Sequence, residues 1–296
     1  MTTCHPDKKY LTMSQSNQEG ENITLHPWNT EFTWENAIQR TGYLSVEQVN
    51  QYNEEGYIRV DNAFTQEELS TLTTQFDKLA LETEGFLKSL ENERLSIAES
   101  GAILFGIHPS LHFQESKDFV SGSPFTEIAH DLIGPNVRLY WDQIVYKQME
   151  KPRRFPWHQD NGYGFVEPQQ YLTCWVPLVD VNVNNGCPWI VPYVHKQGTL
   201  AHSYVEPLGY ECFSDHPDAI PIEAQAGSIV VFSSLTPHMT GPNLTQKTRK
   251  AYIIQYAPEG SHLLKGDSES GKVDSREPAT EPQRQFEILV NGQSPL

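Results

Sequence analysis

The most specific chemistry in this chain rests on three side chains. In Trp157-His158-Gln159-Asp160 an imidazole and a carboxylate stand two apart, so in extended backbone both face one side and can reach a single metal ion. His238, which follows the apolar run Ile229 to Phe232, offers a third ligand. Two neutral imidazoles and one carboxylate make a facial triad, and on Fe(II) such a triad leaves positions open to exogenous ligands, as O2 activation requires. A His-x-Asp pair alone arises easily by chance among 11 histidines. Arg249 adds weight, because it follows His238 closely and opens a strongly β-prone run that could return into the same barrel. An arginine inside an apolar barrel needs an anion, and its planar fork suits a carboxylate held by two hydrogen bonds. The other reading of Arg249 is an edge-strand arginine in solvent.

Those groups need a β framework, and the sequence supplies one from Val137 onward. Val137, Leu139 and Trp141 alternate with polar neighbours, and β-branched and aromatic runs recur at Tyr171–Val176, Gly227–Phe232 and Ala251–Tyr256. Turn clusters such as Asn161-Gly162, Asn184-Asn185-Gly186 and Gly241-Pro242-Asn243 separate them. Many short strands without alternating helices favour a sandwich or jelly roll over a parallel sheet. Before them two capping boxes, Ser45 with Gln48 and Thr65 with Glu68, mark helix starts. Behind the second, Leu69, Leu72, Phe76, Leu79 and Ala80 form one apolar stripe, the face of a helix packed on something larger.

The chain has 296 residues, with 38 acidic against 21 basic side chains and a net charge of −17. That balance repels polyanions and argues against nucleic acid or an anionic membrane surface as partner. At 38% hydrophobic and 11% aromatic, the chain can bury a sizeable core. Length alone allows two domains, but all-β units often reach about 200–250 residues. The expectation is a flexible segment over 1–25, a single domain over 26–260 and a polar tail over 261–296, in which Phe286–Val290 could dock as a short strand. Within the domain a helical part is expected over about 43–130 and a β core over about 136–258. Four dispersed cysteines without a CxxC pair read as reduced thiols, and no apolar run approaches the roughly 20 residues of a membrane span. These features predict a cytoplasmic protein.

From about Tyr43 to Pro258 the sequence resembles the phytanoyl-CoA dioxygenase family of Fe(II)- and 2-oxoglutarate-dependent oxygenases. The matching features are Trp157-His158-Gln159-Asp160, then Asn185-Gly186-Cys187-Pro188-Trp189-Ile190-Val191-Pro192 leading to His195-Lys196. Ala226-Gly227-Ser228 before a strand and His238-Met239-Thr240-Gly241-Pro242-Asn243 with Arg249 complete the series. The resemblance implies a mainly β fold with flanking helices, a double-stranded β-helix of jelly-roll, cupin-like type. It implies that His158, Asp160 and His238 bind iron, that Arg249 binds the distal carboxylate of 2-oxoglutarate, and that Thr240 assists it. Gln143 and Trp175 fall near further cosubstrate contacts, with a surface glutamine and a core tryptophan as the alternatives. O2 is the second cosubstrate, and ascorbate the supporting reductant.

Relatives that halogenate replace the triad carboxylate with a small residue, so the presence of Asp160 favours hydroxylation or a related oxidation. The sequence departs from the family at Tyr193-Val194 and Pro188-Trp189, which bears on substrate shape rather than on iron. His195 is read as a loop residue, and His108, His112, His130, His202 and His216 as surface or loop histidines. Trp157, Tyr163, Phe165 and Trp189 are candidates for an apolar substrate pocket, with plain core as the competing reading. Lys151, Arg153 and Arg154 could receive a substrate carboxylate or phosphate. A small organic substrate is expected: a natural product, amino acid or acyl compound. The alternative class is a cupin-type jelly roll that binds a metal or small molecule without 2-oxoglutarate chemistry.

Overall fold

The computed structural model describes residues 23–295; residues 1–22, most of the expected flexible segment, lie outside them. Helix α1 (Val46–Glu55), strand β1 (Tyr57–Val60) and the long helix α2 (Gln66–Lys88) come first. Strands β2 (Arg94–Leu95), β3 (Ala98–Glu99) and β4 (Ile103–Ile107) follow, then helices α3 (Pro109–His112), α4 (Gln114–Ser121) and α5 (Phe125–Leu132). The longest strand, β5 (Val137–Lys147), precedes β6 (Val166–Glu167), β7 (Leu172–Pro177), β8 (Pro188–Ile190), β9 (Ser203–Val205) and β10 (Gly209–Glu211). Next are β11 (Ile220–Pro221), β12 (Ile229–Ser233), β13 (His238–Thr240) and β14 (Arg249–Pro258), and finally β15 (His262–Asp267), β16 (Lys272–Pro278) and β17 (Glu287–Leu289).

Both capping boxes form. Ser45 Oγ accepts from the Gln48 N–H at 3.2 Å, and Gln48 Oε1 accepts from the Ser45 N–H at 2.9 Å; Thr65 and Glu68 repeat the exchange. Such reciprocal caps satisfy donors that a helix start otherwise leaves unpaired. Helix α1 stops at Gly56, whose φ of 81° is left-handed and whose missing Cβ would meet His195 Nδ1 at 2.6 Å. Two separate constraints therefore require glycine there.

The main sheet is antiparallel and runs β1-β12-β7-β14-β5-β4-β3-β2, with β17 also on β5. A smaller sheet, β11-β8-β13, is extended by bridges between His158 and His238 and between Val181 and Ala224. This is the double-stranded β-helix. Period two decides what each strand shows to each side. Tyr252 and Ile254 of β14 face the helices, where Phe76 of α2 meets Tyr252 with ring centroids 4.8 Å apart. Ala251 and Ile253, in phase with Arg249, face the barrel interior with Trp175, Ile190, Val230 and Phe232.

The tail is not an unstructured extension. β15 and β16 form a hairpin that pairs with β6, and β17 docks on β5 with Ile288 and Leu289 buried in the core under the helices. A few apolar residues in a polar stretch are enough when a sheet edge is available to pair with.

Two histidines expected in loops or at the surface are interior. His108 is buried against Asp142, and His195 is 0% exposed, its Nε2 3.2 Å from the Asn53 carbonyl and its ring edge-on to Trp34. Burial pulls the His195 imidazole down to about 4, against about 6.5 in an unfolded chain. The folded protein then holds fewer protons than the unfolded one between those values, so stability is lost as pH falls from about 6.5 towards about 4. In thermal unfolding, the advantage of the natural protein over His195→Gln is expected to shrink by about 2 kcal/mol between about pH 7 and about pH 5.

Candidate active site

The open end of the barrel holds a cavity lined by His158, Asp160, His238, Thr240, Arg249, Gln143 and Trp175 together with Phe105, Phe155, Thr173 and Phe232. His158 and His238 are brought together by backbone: each N–H donates to the other's carbonyl, at 2.9 and 2.8 Å. This places their rings 4.1 Å apart. The chain then turns through a short 3-10 segment, Asp160–Gly162, so that Asp160 Oδ1 lies 3.8 Å from His158 Nε2 and 3.7 Å from His238 Nε2. One donor atom from each of the three lies within 4.8 Å of the others, a spacing that one ion can span.

The rings are held with the right nitrogen inward. His158 Nδ1 is 2.9 Å from the Pro156 carbonyl and His238 Nδ1 is 3.0 Å from the Thr236 carbonyl. A carbonyl accepts only, so Nδ1 carries the proton and the Nε2 lone pair is free for a metal. Burial, and then the neighbouring His238, push the His158 pKa well below its usual value, which keeps that lone pair available at neutral pH.

Asp160 is oriented by Thr173, a residue not among those expected from the sequence. The Thr173 hydroxyl donates to Asp160 Oδ2, leaving Oδ1 turned to the imidazoles. The signal was present: Thr173 stands two before Trp175 in a fully buried strand, so both face the cavity. Thr173→Val is expected to weaken Fe(II) binding about tenfold while Thr173→Ser retains it, as outer partners of metal ligands do; metal titration followed by thermal shift checks this.

Arg249 is 1% exposed and sits over the Trp175 ring at 5.5 Å. Nη1 donates to the Val145 carbonyl at 3.2 Å, whereas Nε and Nη2 have no hydrogen-bond partner among the described residues. Burial without a counter-anion pulls this guanidinium down to about 9, still protonated at neutral pH. Two orphaned donors on a buried cation are what a carboxylate would satisfy. Lys147, paired with Arg249 across β5 and β14, is a second residue not anticipated. Its Nζ donates to the carbonyls of Arg153, Thr240 and Gly241 at 3.0, 2.8 and 2.6 Å, tying the loop before the triad to the end of β13. Gly186 completes this contact, since a Cβ there would lie 2.5 Å from the Gly241 oxygen.

Gln143 reaches the cavity in phase with Val145, its Oε1 accepting from Trp141 Nε1 at 3.1 Å. Other expected substrate residues are placed differently. Trp157 points away from the cavity because its neighbour His158 points in, and it packs on Phe213 at 5.6 Å. Trp189 shares its face with Met239, opposite to Ile190 and His238. Phe165 is core beneath His26 and Trp28. Arg154 is ion-paired to Glu211 at 2.7 Å. Tyr163 alone of the expected aromatics approaches the site, edge-on to His158 at 5.2 Å and parallel to Phe155.

Among the described residues no helix is long and apolar enough to cross a membrane. The family model described as phytanoyl-CoA dioxygenase (PhyH) matches residues 52–251. The human peroxisomal phytanoyl-CoA dioxygenase is 25% identical over 266 residues, covering 83% of this chain and 77% of that one. A probable alpha-ketoglutarate-dependent hypophosphite dioxygenase of Stutzerimonas stutzeri is 25% identical over 247 residues, covering 78% of this chain and 85% of that one. In fold, the chain is similar to the epimerase SnoN, solved with Fe3+, alpha-ketoglutarate and nogalamycin RO, with a TM-score of 0.64 at 18% identity over 82% of this chain and 97% of that one. A family match of that length, over the segment that carries both histidines, the carboxylate and the buried arginine, makes this chain a member of the phytanoyl-CoA dioxygenase family of Fe(II)- and 2-oxoglutarate-dependent oxygenases.

Proposed function

We propose that this chain hydroxylates a small organic substrate, with His158, Asp160 and His238 holding Fe(II) and Arg249 holding the distal carboxylate of 2-oxoglutarate. The observation that carries the second assignment is the pair of unpartnered, buried donors on Arg249. A metal-binding jelly roll without this cosubstrate would leave that cation buried for no return, at a cost of several kcal/mol. When bound, iron and 2-oxoglutarate supply the oxidising power: O2 is consumed, succinate and CO2 leave, and one oxygen atom passes to the substrate.

The chain's own residues position and exclude. The imidazoles present Nε2 because their Nδ1 protons are engaged by backbone carbonyls. Thr173 fixes which Asp160 oxygen faces the ion. Thr240, lining the cavity beside Arg249, supplies a hydroxyl to the same carboxylate, and Gln143 and Trp175 bound the cosubstrate's flank. Phe105, Phe155 and Phe232 keep water from the reacting centre. Cytoplasmic residence and the absence of a nucleic-acid partner belong to this proposal, supported by the buried thiols of Cys174 and Cys187 and the net charge of −17.

The test is anaerobic addition of Fe(II) and 2-oxoglutarate to the full chain. A weak visible charge-transfer band is expected, and folded, metal-loaded protein without it would overturn the oxygenase reading.

A further inference from the structure

From Phe155 in the cavity wall a row of aromatic rings runs to the surface. Phe155, in the wall beside His158, lies parallel to Tyr163 with centroids 6.2 Å apart. Tyr163 meets Tyr210 edge-on at 5.5 Å, and Tyr210 meets Tyr204 in the same way at 5.5 Å. The last two stand on the hairpin of β9 and β10, which is fastened beside the triad by the Cys212 N–H donating to the Trp157 carbonyl at 2.9 Å. Tyr163, Tyr204 and Tyr210 are 40%, 46% and 41% exposed. Contiguous exposed aromatic rings leading from a buried reaction centre are uncommon on a protein surface and present flat faces tipped with hydroxyl groups.

The charged groups of the same rim are ion-paired with one another, although Nη1 of Arg153 and Nη1 of Arg154 make no hydrogen bond. Glu99 takes both Arg153 and Lys151, the latter at 3.2 Å. Glu206 takes Arg94, and Glu211 takes Arg154 at 2.7 Å. Inside, Lys147 is used on three carbonyls. A phosphate-bearing substrate would have to take a cation from one of these carboxylates. For Arg154 that would strand Glu211, whose side chain is only 10% exposed, next to the incoming anion. A cationic substrate meets the converse difficulty, since the same carboxylates are occupied.

We propose that the substrate of this oxygenase is a neutral, ring-containing small molecule that stacks on Tyr163, Tyr210 and Tyr204 as it enters, and not a CoA thioester or other phosphate-bearing compound. The inference rests on the oxygenase reading of the cavity and adds the substrate's chemical class to it.

Calorimetric titration of the full-chain protein, loaded anaerobically with Fe(II) and 2-oxoglutarate, tests it with two probes: 1-naphthyl β-D-glucoside and decanoyl-CoA. The glucoside is expected to bind saturably, about fivefold more weakly in each of Tyr163→Ala, Tyr204→Ala and Tyr210→Ala, and decanoyl-CoA is expected neither to bind nor to compete. Binding of decanoyl-CoA, absence of glucoside binding, or glucoside binding indifferent to all three substitutions would each overturn the proposal. The decanoyl-CoA arm on the natural protein needs no variant to fold. Succinate release from 2-oxoglutarate without added substrate, measured on the natural protein, reports the oxygenase reading separately, so a protein that releases succinate yet binds decanoyl-CoA defeats only this inference.

Discussion

Arg249→Ala is expected to raise the 2-oxoglutarate concentration for half-maximal succinate release by at least about 100-fold, the effect of removing one partner of a desolvated charge pair, while Fe(II) binding changes by less than about twofold. The asymmetry follows from geometry. Arg249 is hydrogen-bonded to none of His158, Asp160 and His238; its guanidinium lies over Trp175 and against the Val145 carbonyl. A second readout separates this from general damage. Without cosubstrate the cation is buried with two donors unsatisfied, so Arg249→Met, which keeps most of the volume, is expected to melt no lower than the natural protein. Added 2-oxoglutarate would then stabilise the natural protein and not the variant. Equal loss of iron and cosubstrate binding would place Arg249 in the wrong role.

The second large effect concerns His158, Asp160 and His238, the three side chains proposed to hold the metal. His238→Ala and Asp160→Ala are each expected to abolish succinate release, with a loss of at least about 1,000-fold, because two remaining ligands do not hold the ion in place. For the natural protein, Fe(II) at about 100 times its dissociation constant should contribute about 2.7 kcal/mol and raise the melting temperature by roughly 5 °C. Neither variant should show the shift. His238→Ala also removes one wall of the ring pair with His158, relieving the neighbour that helps depress the His158 pKa. The His158 imidazole should therefore titrate at higher pH in that variant than in the metal-free natural protein, measurable by NMR.

Local interactions made much of the architecture legible. The capping boxes at Ser45 and Thr65 need only a four-residue window, and the stripe Leu69, Leu72, Phe76 and Ala80 becomes the buried face of α2. Alternation from Val137 gives β5, and the runs at 171–176, 227–232 and 251–256 give β7, β12 and β14, four neighbours or near neighbours in one sheet. Within the expected tail, the apolar run Phe286–Val290 carries the signal of a docking strand and forms β17, but the polar stretch before it carries none for β15 and β16. That hairpin depends on an edge, β6, which lies far away in sequence.

At the site, His158 and Asp160 could be paired from their spacing, and Arg249 from the cost of burying it. Which aromatics face the cavity could not be decided by proximity to the motif. Trp157 is adjacent to His158 and faces the opposite way, whereas Phe155, three residues before His158, lines the cavity. Thr173 and Lys147 act through partners distant in sequence, Asp160 and the carbonyls of Thr240 and Gly241, and a residue's use as an anchor is invisible until those partners arrive. The basic cluster Lys151, Arg153 and Arg154 looked free in sequence because Glu99 and Glu211 are remote from it, and in the fold it is paired.

The sequence by itself determined the ligand types, the strand periods and the helix starts, because each depends on a side chain's own chemistry or on neighbours within a few residues. The tertiary structure alone decided how His238 meets His158 across a backbone bridge, which carboxylates neutralise the rim and which tyrosines are left bare, because those outcomes come from strands far apart in the chain packing at a fixed register.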